Sequence, residues 1–271
     1  MSASPARPSV SPSVAPVSGL RSPRIQAFGL SHKGMLRPTN EDAYAVLPDL
    51  GLFMVADGIG GCASGEVASQ MALDSVREVF AEPELTWPRG IACLPGAADP
   101  TLLRAGVEHA NARVHASSIA DPAKSGMGTT LSAVLVLEDR IALAHVGDSR
   151  VYGLRGRRFE QLTHDHTLAD VYVQAGVLAR ERAASSEYNH ILARAVGTEE
   201  SVEVDTRLVA LEPSDTFLLA SDGLHGVLDD ATMAAILLRE RDLTVAAMRL
   251  VERANELGGP DNITVVLVRI G

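Results

Sequence analysis

Four acidic residues stand where an apolar run meets a turn. Asp57 and Gly58 follow Phe53-Met54-Val55-Ala56, and Asp222 and Gly223 follow Phe217-Leu218-Leu219-Ala220-Ser221. Asp148 follows Ala142-Leu143-Ala144-His145-Val146-Gly147, and Asp261 precedes Ile263-Thr264-Val265-Val266-Leu267-Val268. A strand delivers such an acid to one fixed point, and burying it is costly unless positive charge sits beside it. Carboxylates brought together raise one another's proton affinity unless something compensates. Hard divalent ions are the usual compensation, because Mg2+ and Mn2+ take oxygen ligands and keep several waters. Two such ions about 3.5–4 Å apart clamp an in-line phosphoryl displacement. Acids scattered around a rim without meeting would leave the same pattern, and a lone Asp-Gly pair is also an ordinary turn. The pattern alone leaves both readings open.

The elements that must position these acids follow from periodicity. Apolar residues alternating with small or polar ones predict strands at Ile25–Ser31, Ala43–Leu47 and Leu52–Ala56. Between the first two, the segment from Gly34 to Asp42 is polar, and Pro38 excludes a continuous helix. Ser64–Phe80 and Thr101–Ile119 read as helices, with Ser64 capping the first and Asp99 or Thr101 the second. Pro83, Pro88, Pro95 and Pro100 make 81–100 a long loop. Leu131–Leu137, Ile141–Val146, Val151–Leu154 and Phe159–Leu162 predict an antiparallel meander. Short helices at Thr167–Gln174 and Arg180–Ala184 precede strands at Val202–Leu208 and Asp215–Ala220. Helices at Asp230–Arg239 and Leu243–Leu257 lead to a last strand, Ile263–Ile270. Helix pairs beside antiparallel sheets make the fold class α+β, built in layers.

Composition narrows the function. The 271 residues suit one large domain or two small ones. Hydrophobic content is 46% but aromatic content only 4%, so the core is mainly Ala, Val and Leu. A net charge of −10 argues against non-specific nucleic-acid binding and against an anionic membrane surface. Two cysteines, Cys62 and Cys93, make no disulfide framework, and a reducing, cytoplasmic setting is expected. No apolar run approaches about 18 residues, so no transmembrane helix is expected. The N-terminus lacks the apolar segment of a secretory signal. Residues 1–24, rich in Ser, Pro, Ala and Val, read as a disordered tail, leaving 25–271 as the domain.

Six stretches acquire meaning together. They are Gly34-x-x-Arg37-x-x-Asn40-Glu41-Asp42, Val55-Ala56-Asp57-Gly58-Ile59-Gly60-Gly61, Gly128-Thr129-Thr130, Val146-Gly147-Asp148-Ser149-Arg150, Ser221-Asp222-Gly223-Leu224 and Asp261-Asn262-Ile263-Thr264. In this order and spacing they resemble the motif series of the metal-dependent type 2C protein Ser/Thr phosphatases, the PPM family, and its bacterial single-domain branch in particular. The resemblance covers roughly residues 25–270.

That resemblance implies a four-layer α-β-β-α sandwich, a central antiparallel β-sandwich flanked by helix pairs. It implies hydrolysis of phosphoserine and phosphothreonine by water activated between two Mn2+ or Mg2+ ions, with a third, weaker ion in bacterial members. Carried over residue by residue, Asp57 bridges both ions, and the Gly58 carbonyl ligates one. Asp222 and Asp261 ligate the other, and Asp148 with Asp222 holds the third. Glu41 and Asp42 act through metal-bound waters. Arg37 binds the substrate phosphate, for which its planar fork is suited. Residues 165–197 correspond to the family's variable flap, with Asn189-x-x-Leu192-x-Arg194-Ala195-Val196-Gly197 as its return segment.

The chain also departs from the family pattern. Eukaryotic members often place a His two residues after the bridging Asp as a candidate general acid; here Ile59 stands there. The proton for the leaving alkoxide must then come from metal-bound water or another group. His166, within Thr163-His164-Asp165-His166-Thr167, is an auxiliary candidate, and equally a structural His bonded to nearby backbone. Cys62 reads as a small buried filler beside the metal loop, and His145 as a strand residue.

Three rival readings compete with this one. A pseudophosphatase binding module is opposed by intact Asp57, Asp222 and Asp261. A two-metal nuclease is opposed by the acidic charge and the missing basic, aromatic groove. A dedicated regulator phosphatase differs only in having one protein substrate. The expected partners are phosphorylated proteins, namely a Hanks-type Ser/Thr kinase and its substrates. Neither nucleic acid nor membrane is expected, and the protein is expected to be a monomer.

Overall fold

The computed structural model describes residues 23–59, 64–81, 100–183 and 185–271. The expected N-terminal tail through residue 22, the loop 82–99 and both cysteines lie outside the described residues.

Period-two sorting builds the sheets. In β3 (Leu52–Ile59), Leu52, Met54 and Ala56 face one core, while Phe53 and Val55 face another. The first face is covered by α1 (Ser64–Ala81) and α2 (Pro100–Ala120). In α2 the buried positions Leu103, Gly106, Val107, Ala110, Asn111 and Val114 recur at helical spacing, which forms the contact stripe. β3 lies in a sheet ordered β2-β3-β5-β6-β9, from β2 (Asp42–Leu47), β5 (Leu131–Val136), β6 (Arg140–Val146) and β9 (Asp205–Ala210). A two-residue strand, β4 (Gly128–Thr129), pairs with the end of β3.

The second sheet runs β1-β11-β10-β7-β8. Its members are β1 (Ile25–His32), β7 (Arg150–Arg155), β8 (Arg158–Gln161), β10 (Thr216–Ala220) and β11 (Ile263–Ile270). β11 is buried at every position except Arg269, as befits an apolar, β-branched strand covered on both faces. Its Ile263, Val265 and Leu267 pack under the C-terminal helices, while Val266, Val268 and Ile270 meet the facing sheet. Those helices are α5 (Asp222–His225), α6 (Asp230–Arg239) and α7 (Leu243–Glu256). Two short helices, α3 (Leu168–Gln174) and α4 (Arg180–Ala183), lie in the long connection between β8 and β9. Three cores thus separate four layers: helices, sheet, sheet, helices. Among the described residues no helix is long and apolar enough to cross a membrane.

Three local readings change. The strands from 131 to 162 are not one meander, because β6 pairs with β5 and β9 while β7 pairs with β8 and β10 in the other sheet. Gly147, at φ 108°, turns the chain across; there a Cβ would lie 2.6 Å from the Thr130 side chain. Alternation marks a strand but does not say whether its neighbour lies beside it or opposite. β9 begins at Asp205 rather than Val202, since its partner β6 ends one residue past the His145–Asp205 pair. β3 runs past Ala56 to Ile59, so Asp57 sits inside the ladder opposite Asp42, not at its end.

Candidate metal centre

One end of the sandwich gathers the acids. The ends of β3, β6 and β10 meet the starts of β2 and β11 there, as the antiparallel pairing requires. Asp57 continues the odd-numbered face of Phe53 and Val55, so the same alternation that fills the inter-sheet core carries a carboxylate to its open end. The result is a cleft of about 570 Å³ whose lining includes Arg37, Glu41, Asp57, Gly58, Asp148, Asp222 and Asp261.

The loops are held by a few polar side chains. The Asp57 N–H donates to Thr130 Oγ1 (2.9 Å), and the Asp57 carbonyl accepts from the Thr130 N–H (2.9 Å) and Thr129 Oγ1 (2.9 Å). Thr130 Oγ1 also meets Ser149 Oγ at 2.7 Å, which ties Asp57 to the loop bearing Asp148. Asn262 accepts the Glu41 N–H at Oδ1 (2.8 Å) and donates Nδ2 to the carbonyls of Lys33 (3.0 Å) and Thr39 (2.8 Å). That single amide fixes the segment carrying Arg37 and Glu41. Arg37 Nη2 donates to Asp261 Oδ2 at 2.6 Å, and Asp261 Oδ1 accepts the Asn262 N–H at 2.8 Å.

The carboxyls carry an uncompensated electrostatic load. Burial, then Asp42, Asp222, Asp148 and Asp261, push the Asp57 carboxyl well above the ordinary range. Burial and then Asp222 push Asp148 up to about 7. Burial and then Asp261 raise Asp222, and burial raises Glu41 against the pull of Arg37. Asp42 lies beneath the cleft, where Ser221 Oγ donates to its Oδ2 at 2.7 Å, and burial pushes it up to about 7. Asp42 Oδ1 and Asp222 Oδ1 are buried with no hydrogen-bond partner among the described residues. A buried oxygen left unpaired is costly, and native structures rarely keep one without a purpose.

This donor set fits hard divalent cations. Every candidate ligand is an oxygen, and a cation would lower the proton affinity that the acids impose on one another. The backbone at Gly58 is also packed tightly, since a Cβ there would fall 2.1 Å from the Gly65 carbonyl oxygen and 2.7 Å from that of Glu41. Among the described residues no three His, Cys, Asp or Glu side chains form a ready-made cage. Mg2+ and Mn2+ do not require one, because one or two carboxylates plus waters suffice.

The expected residues therefore divide. Arg37, Glu41, Asp57, Gly58, Asp148, Asp222 and Asp261 share the cleft. Asp42 sits a layer below it. His166 does not line it: only 9% exposed, it accepts the Gly147 N–H at Nδ1 (3.0 Å). Its Nε2 therefore carries the proton and faces Asp205 Oδ2 at 3.3 Å, beside Arg194 Nη1 at 3.1 Å. The ring props the Gly147 turn and so the approach to Asp148. Sequence reasoning passed over Thr130, His190, Arg194 and Asn262 as individual residues, although all four line the cleft. Each lay within a quoted motif; only its polar or ionisable side chain marked it.

The chain as a whole resembles known proteins. Residues 31–256 match the family described as protein phosphatase 2C. The serine/threonine phosphatase stp of Listeria monocytogenes is 36% identical over 239 residues, covering 87% of this chain and 92% of that protein. The crystal structure of the Mycobacterium tuberculosis serine/threonine phosphatase PstP/Ppp superposes with a TM-score of 0.80 at 33% identity, covering 90% of this chain and 98% of that one. The catalytic domain of PstP in complex with two manganese ions superposes with a TM-score of 0.78 at 32% identity, over 91% and 98% of the two chains.

Proposed function

The chain belongs to the protein phosphatase 2C family and is a Mn2+- or Mg2+-dependent protein serine/threonine phosphatase, and on that premise we propose which of its residues do the work. Asp57, the Gly58 carbonyl, Asp222 and Asp261 would hold two ions, with Asp57 serving both, and Asp148 with Asp222 would hold a third. Glu41 would act through the water shell, backed one layer down by Asp42, which Ser221 holds. When bound, the ions supply an activated water and neutralise charge on the phosphoryl group. Arg37 receives the phosphate: its guanidinium reaches the cleft wall and today rests on Asp261, which an ion would claim in its place. A planar cation matches two phosphoryl oxygens at once. The observation that carries the assignment is the convergence of Asp57, Asp148, Asp222 and Asp261 on one cleft, with an orphaned buried oxygen on Asp222.

Residues 25–271 form the phosphatase domain in this reading, and 165–197 a flap subdomain that closes one wall of the cleft through 190–195. The substrates are phosphoproteins. A phosphorylated Ser or Thr presupposes a protein kinase, so we place a Hanks-type kinase and its targets, in the cytoplasm, as partners. Purified protein with Mn2+ is expected to dephosphorylate both a phosphothreonine peptide and an autophosphorylated kinase of that class. Asp57→Asn is expected to lose at least about 10²-fold in kcat on both. Wild-type turnover in Asp57→Asn, with metal content unchanged, would falsify the site assignment.

A further inference from the structure

Breaking a seryl or threonyl phosphoester leaves an alkoxide, a poor leaving group unless it is protonated as it departs. The cleft offers few donors. Arg37 and Arg194 line it but hold their protons too firmly to give one up. Glu41, Asp57, Asp148, Asp222 and Asp261 are assigned to the ions and their waters. Thr130 is engaged with Asp57 and Ser149.

Of the histidines around the acids at this end of the sandwich, His145, His166 and His225 are occupied. His145 is buried between Ser132 Oγ (2.9 Å) and the His164 carbonyl (2.9 Å). His166 holds Gly147 on one nitrogen and faces Asp205 on the other. His225 is half-buried and donates Nε2 to the Asp148 carbonyl at 3.1 Å. His190 differs in each respect. It is exposed, it lines the cleft with Asp57 and Asp222, and it also lines the adjoining cavity of about 430 Å³ that shares Asp148, Asp222 and Asp261. It therefore stands on the wall between the two spaces. No hydrogen bond or ion pair ties its ring among the described residues. Its field reaches Asp222, whose proton affinity it helps to lower against burial and Asp261.

We propose that His190 is the general acid of this phosphatase, donating a proton to the seryl or threonyl oxygen as the ester bond breaks. In that step a water oxygen bonds to phosphorus and the ester P–O bond breaks. The His190 proton passes to the departing oxygen, giving the hydroxyl. The proton lost by the attacking water goes to solvent, from which His190 is recharged. The sum is ester plus water to hydroxyl and phosphate. The assignment rests on the reading that Arg37 receives the phosphate over the aspartate-lined cleft, because this puts the ester oxygen on the flap side where His190 stands.

Leaving-group dependence tests it. p-Nitrophenolate departs as the anion and needs no proton, whereas a threonyl oxygen does. Using the full-length protein with Mn2+, His190→Ala and His190→Gln are expected to lower kcat on a phosphothreonine peptide by about 10²-fold and on p-nitrophenyl phosphate by no more than about threefold. The Mn2+-induced rise in Tm should match the wild type. Equal losses on the two esters, no loss on either, or a lost Mn2+ response in these variants each overturns the proposal. Wild-type protein inactive on both esters, or Asp57→Asn active on both, defeats the metal-site reading instead.

Discussion

Asn262 shows how one amide can organise a site without entering its chemistry. Its oxygen and nitrogen together satisfy one backbone N–H and two carbonyls in the segment from Lys33 to Glu41. That segment has no helix or strand of its own between β1 and β2 to hold Arg37 in place. Asn262→Ala is expected to cost about 2 kcal/mol in urea unfolding, because partly buried groups lose their partners. It should also raise KM for a phosphothreonine peptide several-fold as Arg37 drifts. Asn262→Asp keeps the acceptor for Glu41 but loses both donations, so its effect should fall between. Stability and KM both at wild-type values in the Ala variant would show that the segment holds itself. In the sequence, this residue stood one place after a candidate ligand, and nothing in its spacing told of the loop it pins.

At the level of elements, the junction of β6 with the connection after β8 is built on a buried imidazole. His145 joins Ser132 of β5 to the His164 carbonyl, and His166, Asp165 and Asp205 are the titratable groups around it. Burial first, then His166, drive its pKa down from 6.5 to about 4. The folded chain therefore resists the proton that the unfolded chain accepts. The stability this neutral ring contributes is complete above pH 6.5 and is lost progressively as the pH falls to about 4, a total on the order of 3 kcal/mol. Urea unfolding at pH 7.5 and 4.5 should show that acid loss shrinking in His145→Gln; an unchanged acid slope would mean the ring titrates normally. The strands themselves were legible. β1, β3, β10 and β11 follow from alternation and β-branched runs, because burial on defined faces dictates them. What the sequence did not disclose was which sheet each strand joins, since the chain crosses between sheets at Gly147 through backbone geometry alone. The site was legible as a set of acids in order, but not as a place. His190 escaped notice because its part depends on where the segment after α4 lies against the cleft, which no local periodicity records.

At the scale of the whole molecule, the proposed metal ligands come from both sheets. Asp57 belongs to β3 in one, while Asp222 and Asp261 adjoin β10 and β11 in the other, and Asp148 lies on the link between them. Without ions, these acids repel across the open end of the sandwich, on a chain whose net charge is already −10. Ions bound there would replace that repulsion with a cross-link between the layers, so metal affinity becomes stability of the entire fold. At Mn2+ concentrations about 100 times Kd, one site adds about 2.7 kcal/mol, which for a domain of this size is about 5–10 °C in Tm. EDTA-treated protein should melt lower by at least that amount. Asp222→Asn, which removes a charge from the second sheet, should lose most of the Mn2+ response while melting no lower than wild type in EDTA, because it also relieves the repulsion. An equal Mn2+ shift in that variant and in wild type would place the ions elsewhere; a variant less stable in EDTA would mean that the Asp222 carboxylate supports the fold without any ion.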